Sequence, residues 1–313
     1  MRIDRSLALH GALAGAATLA AYVAWVNPRF TRDDASIEII AGRPEALDEV
    51  TWQDATNEVT VRRDGAEIRV LIATRKEGAG AAKTFPAAAA ARELFGHMAP
   101  LTAVRKLGQA DDAHVKAFGL AEPQATLRLR YGNVTHTLRI GTATFGSGHS
   151  YVQSEDGDVF LVKASQLGDL KSGASVLAER ALFAFARDKV ERLVLTTPVK
   201  TRELVQRFRE DAARAFWADP AEPNGRLAQA GNWVDRLLRA RVSDLAAHKP
   251  SGPPALSVEG FGDGHTLGQV AIWTPSDGDA LATSSTFATA VVLPRWAAEG
   301  LLKELDAVLA ERP

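Results

Sequence analysis

The sequence contains no cysteine. That excludes disulfides, thiol nucleophiles, iron–sulfur ligation and cysteine-based zinc sites, and it leaves the redox compartment open. Net charge is also nearly missing, with 37 Lys and Arg against 38 Asp and Glu. No general electrostatic pull toward nucleic acid follows. The phosphate loop G-x-x-x-x-G-K-[ST] is absent, so the chain is not itself a P-loop ATPase. The nucleophile elbow G-x-S-x-G is absent too. What is abundant is alanine, 56 of 313 residues. Alanine buries little area, so the core must rest on scattered Leu, Val, Ile, Phe and Trp. At about 150 residues per domain, the length suggests two domains.

Leu7 to Val26 contain no charged side chain. Twenty helical residues at about 1.5 Å each span about 30 Å, the hydrocarbon thickness of a bilayer. Tyr22 and Trp25 stand near one end, where amphipathic rings favour the interface. The Lys and Arg on either side are almost balanced, and the free amine tips the amino terminus inward. A cleaved signal peptide needs small residues at the first and third positions before the cut. Cuts after Ala24 or Ala21 place Tyr22 or Leu19 there, and a cut after Ala20 leaves a short peptide. An uncleaved anchor over residues 1–30 is therefore expected. Gly11 and Gly15 form G-x-x-x-G, a candidate face for packing against another membrane helix, although alanine-rich chains also produce such spacing by chance. His10 lies near enough to the amino end to reach headgroups.

After Pro28 the pattern becomes short alternating runs separated by turn residues, the mark of antiparallel strands. Runs from Glu58 and Glu67 flank Asp64-Gly65, a hairpin signal. A helical region is expected from Pro86 through Arg105, with Pro100 marking a break or a second short helix. Hairpins follow across Gly132-Asn133 and across residues 155–158, then a closing helix from Ser165. The second half repeats the order. Val190 opens a strand, and Leu204 to Phe208 and Ala213 to Trp217 flank a turn. Asn232 is a good N-cap for a helix from Trp233 to Leu245. Hairpins across residues 262–264 and between Ala282 and Leu293 precede a terminal helix from Arg295 to Glu311. Composition alone permits one helix over residues 201–217. The repeat favours a hairpin. Helices do not alternate with parallel strands, so a doubly wound nucleotide-binding sheet is not expected. The expected fold is α+β: an amino-terminal transmembrane helix (1–30), then two tandem related modules of antiparallel β-hairpins packed with helices, 31–186 and 187–313.

An ordered set of strings lies in this pattern: Leu107-Gly108, Phe118-Gly-Leu-Ala-Glu-Pro123, Ala125-Thr-Leu-Arg-Leu129 and His136-Thr-Leu-Arg-Ile-Gly141. Tyr151-Val-Gln153, Val159-Phe-Leu-Val162, Leu177 to Phe185 and Val190 to Leu195 complete it. Together they resemble the domain-of-unknown-function 4340 family, over about residues 95–245 and elsewhere by architecture. The family supplies no reaction and no catalytic residues. The resemblance implies a bacterial envelope protein anchored in the inner membrane, with its soluble part extracytoplasmic. It further implies an accessory to a gliding-type ABC transporter, whose permease or auxiliary subunit would be the partner. This chain departs from the family pattern in its alanine-rich helix and its reduced third hairpin near Ser284.

Motifs with chemical possibilities have plainer readings. Ser147 stands beside His149, but flanking glycines make an ordinary loop. Gly262-Asp-Gly264 through Gly268 nearly spells a dinucleotide fingerprint, yet it joins two strands rather than opening a helix. Asp156-Gly-Asp158 and Asp277-Gly-Asp279 resemble calcium loops without the distal Glu. His97, His114, His136, His149, His248 and His265 show no metal-ligand spacing. Arg187, Arg192, Arg202, Arg207, Arg209, Arg236, Arg239 and Arg241 read as a solvated face, with an acidic partner or a lipid surface as the alternative. Trp217, Trp233 and Trp273 are expected in the core, and Trp296 is the interface candidate.

The sequence thus predicts no catalytic, cofactor-binding or metal-binding residues and no nucleic-acid partner. The leading expectation is a noncatalytic accessory or scaffold subunit of an ABC-transporter-type envelope complex. The alternatives are an extracytoplasmic glycan- or peptide-binding module, or a hydrolase with an unconventional site.

Overall fold

A computed structural model describes residues 36–75, 82–146, 148–183, 185–274 and 278–312. The expected anchor, with Gly11 and Gly15, lies outside the described residues, as does Ser147. Among the described residues no helix is long and apolar enough to cross a membrane. The fold is built mostly of antiparallel strands with some helices.

In chain order the strands are β1 Ile37–Ile40, β2 Glu49–Asp54, β3 Asn57–Asp64, β4 Glu67–Thr74 and β5 Lys83–Pro86. Helix α1, Ala89–Met98, is followed by β6 Leu101–Ala103, β7 Arg105–Gln109 and α2 Asp112–Ala117. Then come β8 Ala125–Tyr131, β9 Val134–Ala143, β10 His149–Gln153 and β11 Asp158–Lys163. Two short helices, α3 Gly168–Ser172 and α4 Ala174–Leu177, lead to β12 Arg192–Thr196, β13 Thr201–Arg207 and β14 Phe216–Ala218. Helix α5 Ala228–Leu238 precedes β15 Asp244–Leu245, β16 Leu256–Gly262, β17 His265–Trp273, β18 Ala280–Ser284 and β19 Val291–Leu293. Helix α6, Arg295–Ala310, closes the chain.

Contacts among the described residues divide the chain into two compact units, one falling within Met1–Leu47 and Gly96–Leu167, the other within Asp48–Phe95 and Gly168–Pro313. The boundary expected at residue 186 follows sequence order, whereas this partition interleaves. Hydrogen bonds show why the early hairpin strands join the later chain. The Ala88 N–H donates to Leu177 O at 2.9 Å, and the Glu179 N–H donates to Pro86 O at 2.8 Å.

In the first unit, β1 pairs with β6, and a second run has the order β8–β9–β10–β11–β7. In the other unit, one run has the order β5–β4–β3–β2. A separate eight-stranded sheet has the order β14–β13–β12–β16–β17–β18–β19–β15. Its second part repeats the pattern of β8 to β11 plus β7: four meander strands, then an earlier strand added at the far edge. The ambiguous 201–217 segment is a hairpin, with Val205 opposite Ala218 and Arg207 opposite Phe216.

Two expected helices differ from the structure. The helix predicted over residues 86–105 begins at Ala89 and ends at Met98. Pro100 forces the preceding residue away from helical geometry, and Leu101–Ala103 pair with β1 instead. The helix assigned to residues 233–245 starts at Ala228, so Asn232 is inside it and caps nothing. Its first-turn N–H groups are satisfied from the far end of the chain. The Glu311 carboxylate accepts from the backbone of Gln229 at 2.9 Å and of Ala230 at 2.8 Å.

The core of the eight-stranded sheet is set by alternation. Leu193, Leu195, Leu204, Val258, Val270 and Ile272 point inward and are buried. Trp233, Val234 and Leu237 of α5 and Leu301, Leu305 and Val308 of α6 are buried as well. The Trp233 Nε1–H donates to Leu301 O at 2.8 Å, which ties the two helices together. At the carboxyl end of α6, Lys200 donates to Leu309 O and Arg202 to Val308 O. Cationic donors there satisfy open carbonyls and oppose the helix dipole.

Candidate functional site

Helix α6 positions the candidate site. Pro294 precedes its first turn, and the Arg295 N–H donates to the Asp279 carboxylate at 3.1 Å. Ala297, Ala298, Leu301, Leu305, Val308 and Leu309 form the buried stripe at helical spacing. Trp296 falls off that stripe and is 77% exposed, the one tryptophan among the described residues to be so. Beside it runs a shallow groove of about 650 Å³. The buried Ala280 and Ala298 lie along it, with Leu302, Lys303 and the Arg295–Glu299 ion pair. Arg295 Nε donates to Glu299 Oε1 at 2.7 Å, and this hydrogen bond holds the Arg295 pKa above its ordinary value. Gly300 is one turn beyond Trp296, and a Cβ there would meet open space. Glycine inside a helix costs about 1 kcal/mol relative to alanine, and here it leaves the ledge beside the indole unfilled.

The groove is lined by an aromatic ring, small apolar residues and a pair of opposite charges. A broad aromatic anchor, a small apolar floor and paired charges at the edge match the composition of protein docking sites. Thr274 is its sole described hydroxyl, and no described histidine lines it.

The other sequence motifs resolve into turns. Asp263-Gly264 is the tip of the β16–β17 hairpin, both residues at positive φ. Arg209 Nη2 binds Asp263 at 2.8 Å and Glu191 at 3.0 Å. The hydrogen bond from Arg209 holds the Asp263 carboxyl below its ordinary value of 3.8. A lowered folded pKa contributes stability that is complete above the unfolded value and is lost as pH falls through the folded one. The expected result is a carboxyl NMR titration of Asp263 with its midpoint below 3.8. In Arg209→Met that midpoint should return to the ordinary range. An unchanged midpoint would contradict the assignment.

Asp158 of the calcium-like loop pairs with Lys106, and Asp279 accepts from the α6 amino end. No group of three or more His, Asp or Glu among the described residues could hold a metal ion. Of the arginine set, Arg187, Arg192, Arg202 and Arg236 pair with Asp235, Glu203, Asp219 and Glu304. Trp217 and Trp233 are buried and Trp273 is half-buried, its Nε1–H donating to Gly252 O at 2.9 Å. The sequence reading passed over Phe208, Arg214 and Arg226, whose grouping comes from a loop.

The strings that carried the family resemblance have structural roles. Phe118 stacks on Tyr151 with ring centroids 4.1 Å apart, and Leu120 is fully buried. Phe118 O accepts from both the Thr142 backbone and hydroxyl, at 2.9 and 3.1 Å. The chain is an antiparallel α+β protein that displays an exposed tryptophan on its closing helix. The model of a family described as a domain of unknown function (DUF4340) matches residues 86–259, and the chain belongs to that family. No curated protein and no solved structure matches it.

Proposed function

We propose that the chain is a noncatalytic, membrane-anchored accessory or scaffold subunit of an ABC-transporter-type complex in the bacterial envelope. Residues 1–30 would hold it in the inner membrane, with Gly11 and Gly15 facing a permease or auxiliary helix. The soluble part would stand on the extracytoplasmic side as two tandem related modules. The recurrence of the β8–β9–β10–β11–β7 order in β16–β17–β18–β19–β15 supports a duplication. The observation that carries the functional reading is Trp296, exposed on a rigid helix beside its groove. A tryptophan of this kind is the residue type that dominates interface energies.

Trp296→Ala should weaken capture of the transporter partner by at least about 30-fold, a loss of about 2 kcal/mol or more. Because the ring is exposed, stability should change by less than about 0.5 kcal/mol. A detergent pull-down from native membranes with wild type and variant, alongside thermal melts, measures both. Equal recovery of transporter subunits by the two proteins would sink the role of Trp296. Recovery of none would sink the accessory reading.

A further inference from the structure

We infer that the loop joining β13 to β14 is a second docking surface, and that it takes an acidic protein segment. The starting observation is backbone strain. Phe208 has φ of 52° and is 48% exposed. A bulky side chain in the left-handed region costs about 1–3 kcal/mol, which glycine would relieve. The fold retains this conformation and presents the ring at the edge of the eight-stranded sheet.

Around the ring is a ladder of stacked groups. Phe208 and Phe216 have centroids 6.0 Å apart. The Arg214 guanidinium lies 4.5 Å from the Phe208 centroid and Arg207 lies 6.0 Å from it, while Arg226 lies 5.1 Å from Phe216. All three arginines are exposed. None forms an ion pair among the described residues, unlike the paired Arg187, Arg192, Arg202 and Arg236. Stacking orients a guanidinium while leaving its N–H edge open, the geometry that receives a carboxylate bidentately. A groove of about 570 Å³ runs beside Phe208, and its walls carry Glu191, Glu210 and Asp211 as well as Arg207 and Arg209, so the open guanidinium edges lie along its rim on the ladder itself.

The platform is held in advance of binding. The Asp211 N–H donates to Phe208 O at 3.0 Å, and Asp211 O accepts from Arg214 and Ala215 at 2.9 and 2.8 Å. Arg209 fastens the loop to the Asp263 hairpin tip. Little ordering entropy remains to oppose association.

Charge bookkeeping selects the partner. From residue 207 to 226 there are four arginines (207, 209, 214, 226) and four acids (Glu210, Asp211, Asp219, Glu222). An anionic bilayer averages charge over a Debye length of about 10 Å and so meets these acids together with the arginines, whereas an extended segment can set single carboxylates against single guanidinium edges and keep them off the acids. An extended segment with alternating acidic and apolar side chains fits instead. Its carboxylates meet individual guanidinium edges, and its apolar groups lie on Phe208. This surface is distinct in residues from the Trp296 groove and does not depend on the transporter reading.

The test uses the full chain in detergent micelles and an array of short peptides carrying Leu and Phe with increasing numbers of Asp and Glu. Matched Asn and Gln peptides serve as controls. Binding should exceed the controls by about tenfold and fall between about 0.05 M and about 0.5 M salt. The combined variant Arg207→Gln, Arg214→Gln, Arg226→Gln should lose that preference. Phe208→Gly should melt no lower than wild type, because strain is relieved, and should still lose about tenfold in binding. Absence of an acidic preference, or its survival in the triple variant, overturns the proposal. So does tighter arginine-dependent binding to phosphatidylglycerol vesicles than to the peptides, since that assigns the surface to lipid.

Discussion

Trp233→Ala is expected to destabilise the protein by about 3–5 kcal/mol, the range for removing a fully buried large aromatic. The indole is wholly buried, in the inner stripe of α5. Its loss leaves a cavity that rigid strands on one side can only partly close. It also removes the hydrogen bond that the Nε1–H donates to the Leu301 carbonyl at 2.8 Å, leaving that oxygen its bond within the helix. Trp233→Phe keeps most of the area and loses the hydrogen bond, so it should cost about 1–3 kcal/mol. Denaturant unfolding of the two variants separates the contributions. Because Leu301 belongs to the helix that carries Trp296, Trp233→Ala should also weaken partner capture while leaving the groove's own side chains intact. A cost below about 1 kcal/mol would show that α5 and α6 are not clamped as described.

Gly141→Ala should be the most damaging single-methyl change in the first unit. A Cβ at this position would be 2.2 Å from Phe118 O and 3.1 Å from Leu120 Cδ2. The nearer atom is backbone, fixed by two hydrogen bonds from Thr142, so it has no rotamer by which to withdraw. Overpacking of this kind costs about 1–3 kcal/mol, and occasionally more, with the upper end expected here. Gly96→Ala supplies the contrast. That glycine is inside α1 and a Cβ there meets nothing within 4 Å. The substitution should stabilise by about 0.5–1 kcal/mol through helix propensity. Thermal melts of the pair should therefore move in opposite directions. Parallel shifts would contradict the close approach of Gly141 to Phe118.

Much of the β architecture was legible because its signals are local. Asp64-Gly65, Gly132-Asn133 and Asp263-Gly264 each pair turn chemistry with flanking alternation, and each marks a hairpin, the first with its tip one residue on at Gly65-Ala66. The 201–217 hairpin was reached by analogy between halves rather than by composition. The helix that displays Trp296 was expected from Arg295 to Glu311 and runs from Arg295 to Ala310. What stayed hidden depends on distant partners. The start of α5 is fixed by Glu311, more than eighty residues away. The strand Leu101–Ala103 forms because β1 offers it an edge, although its residues also fit a helical face. The Phe208 ladder requires a backbone angle that no local pattern announces. The 46% hydrophobic content divides accordingly. The uncharged stretch before residue 30 falls outside the described residues, and many small alanines fill helices. The strand residues make the sheet core.

The central claim is that Trp296 meets a partner in the envelope. The most direct measurement places a photoreactive aromatic residue at position 296 of the full chain, irradiates native membranes and identifies cross-linked peptides by mass spectrometry. The account predicts peptides from an extracytoplasmic face of an ABC-type permease or auxiliary subunit. Cross-links to lipid alone, or to no protein at all, would contradict it.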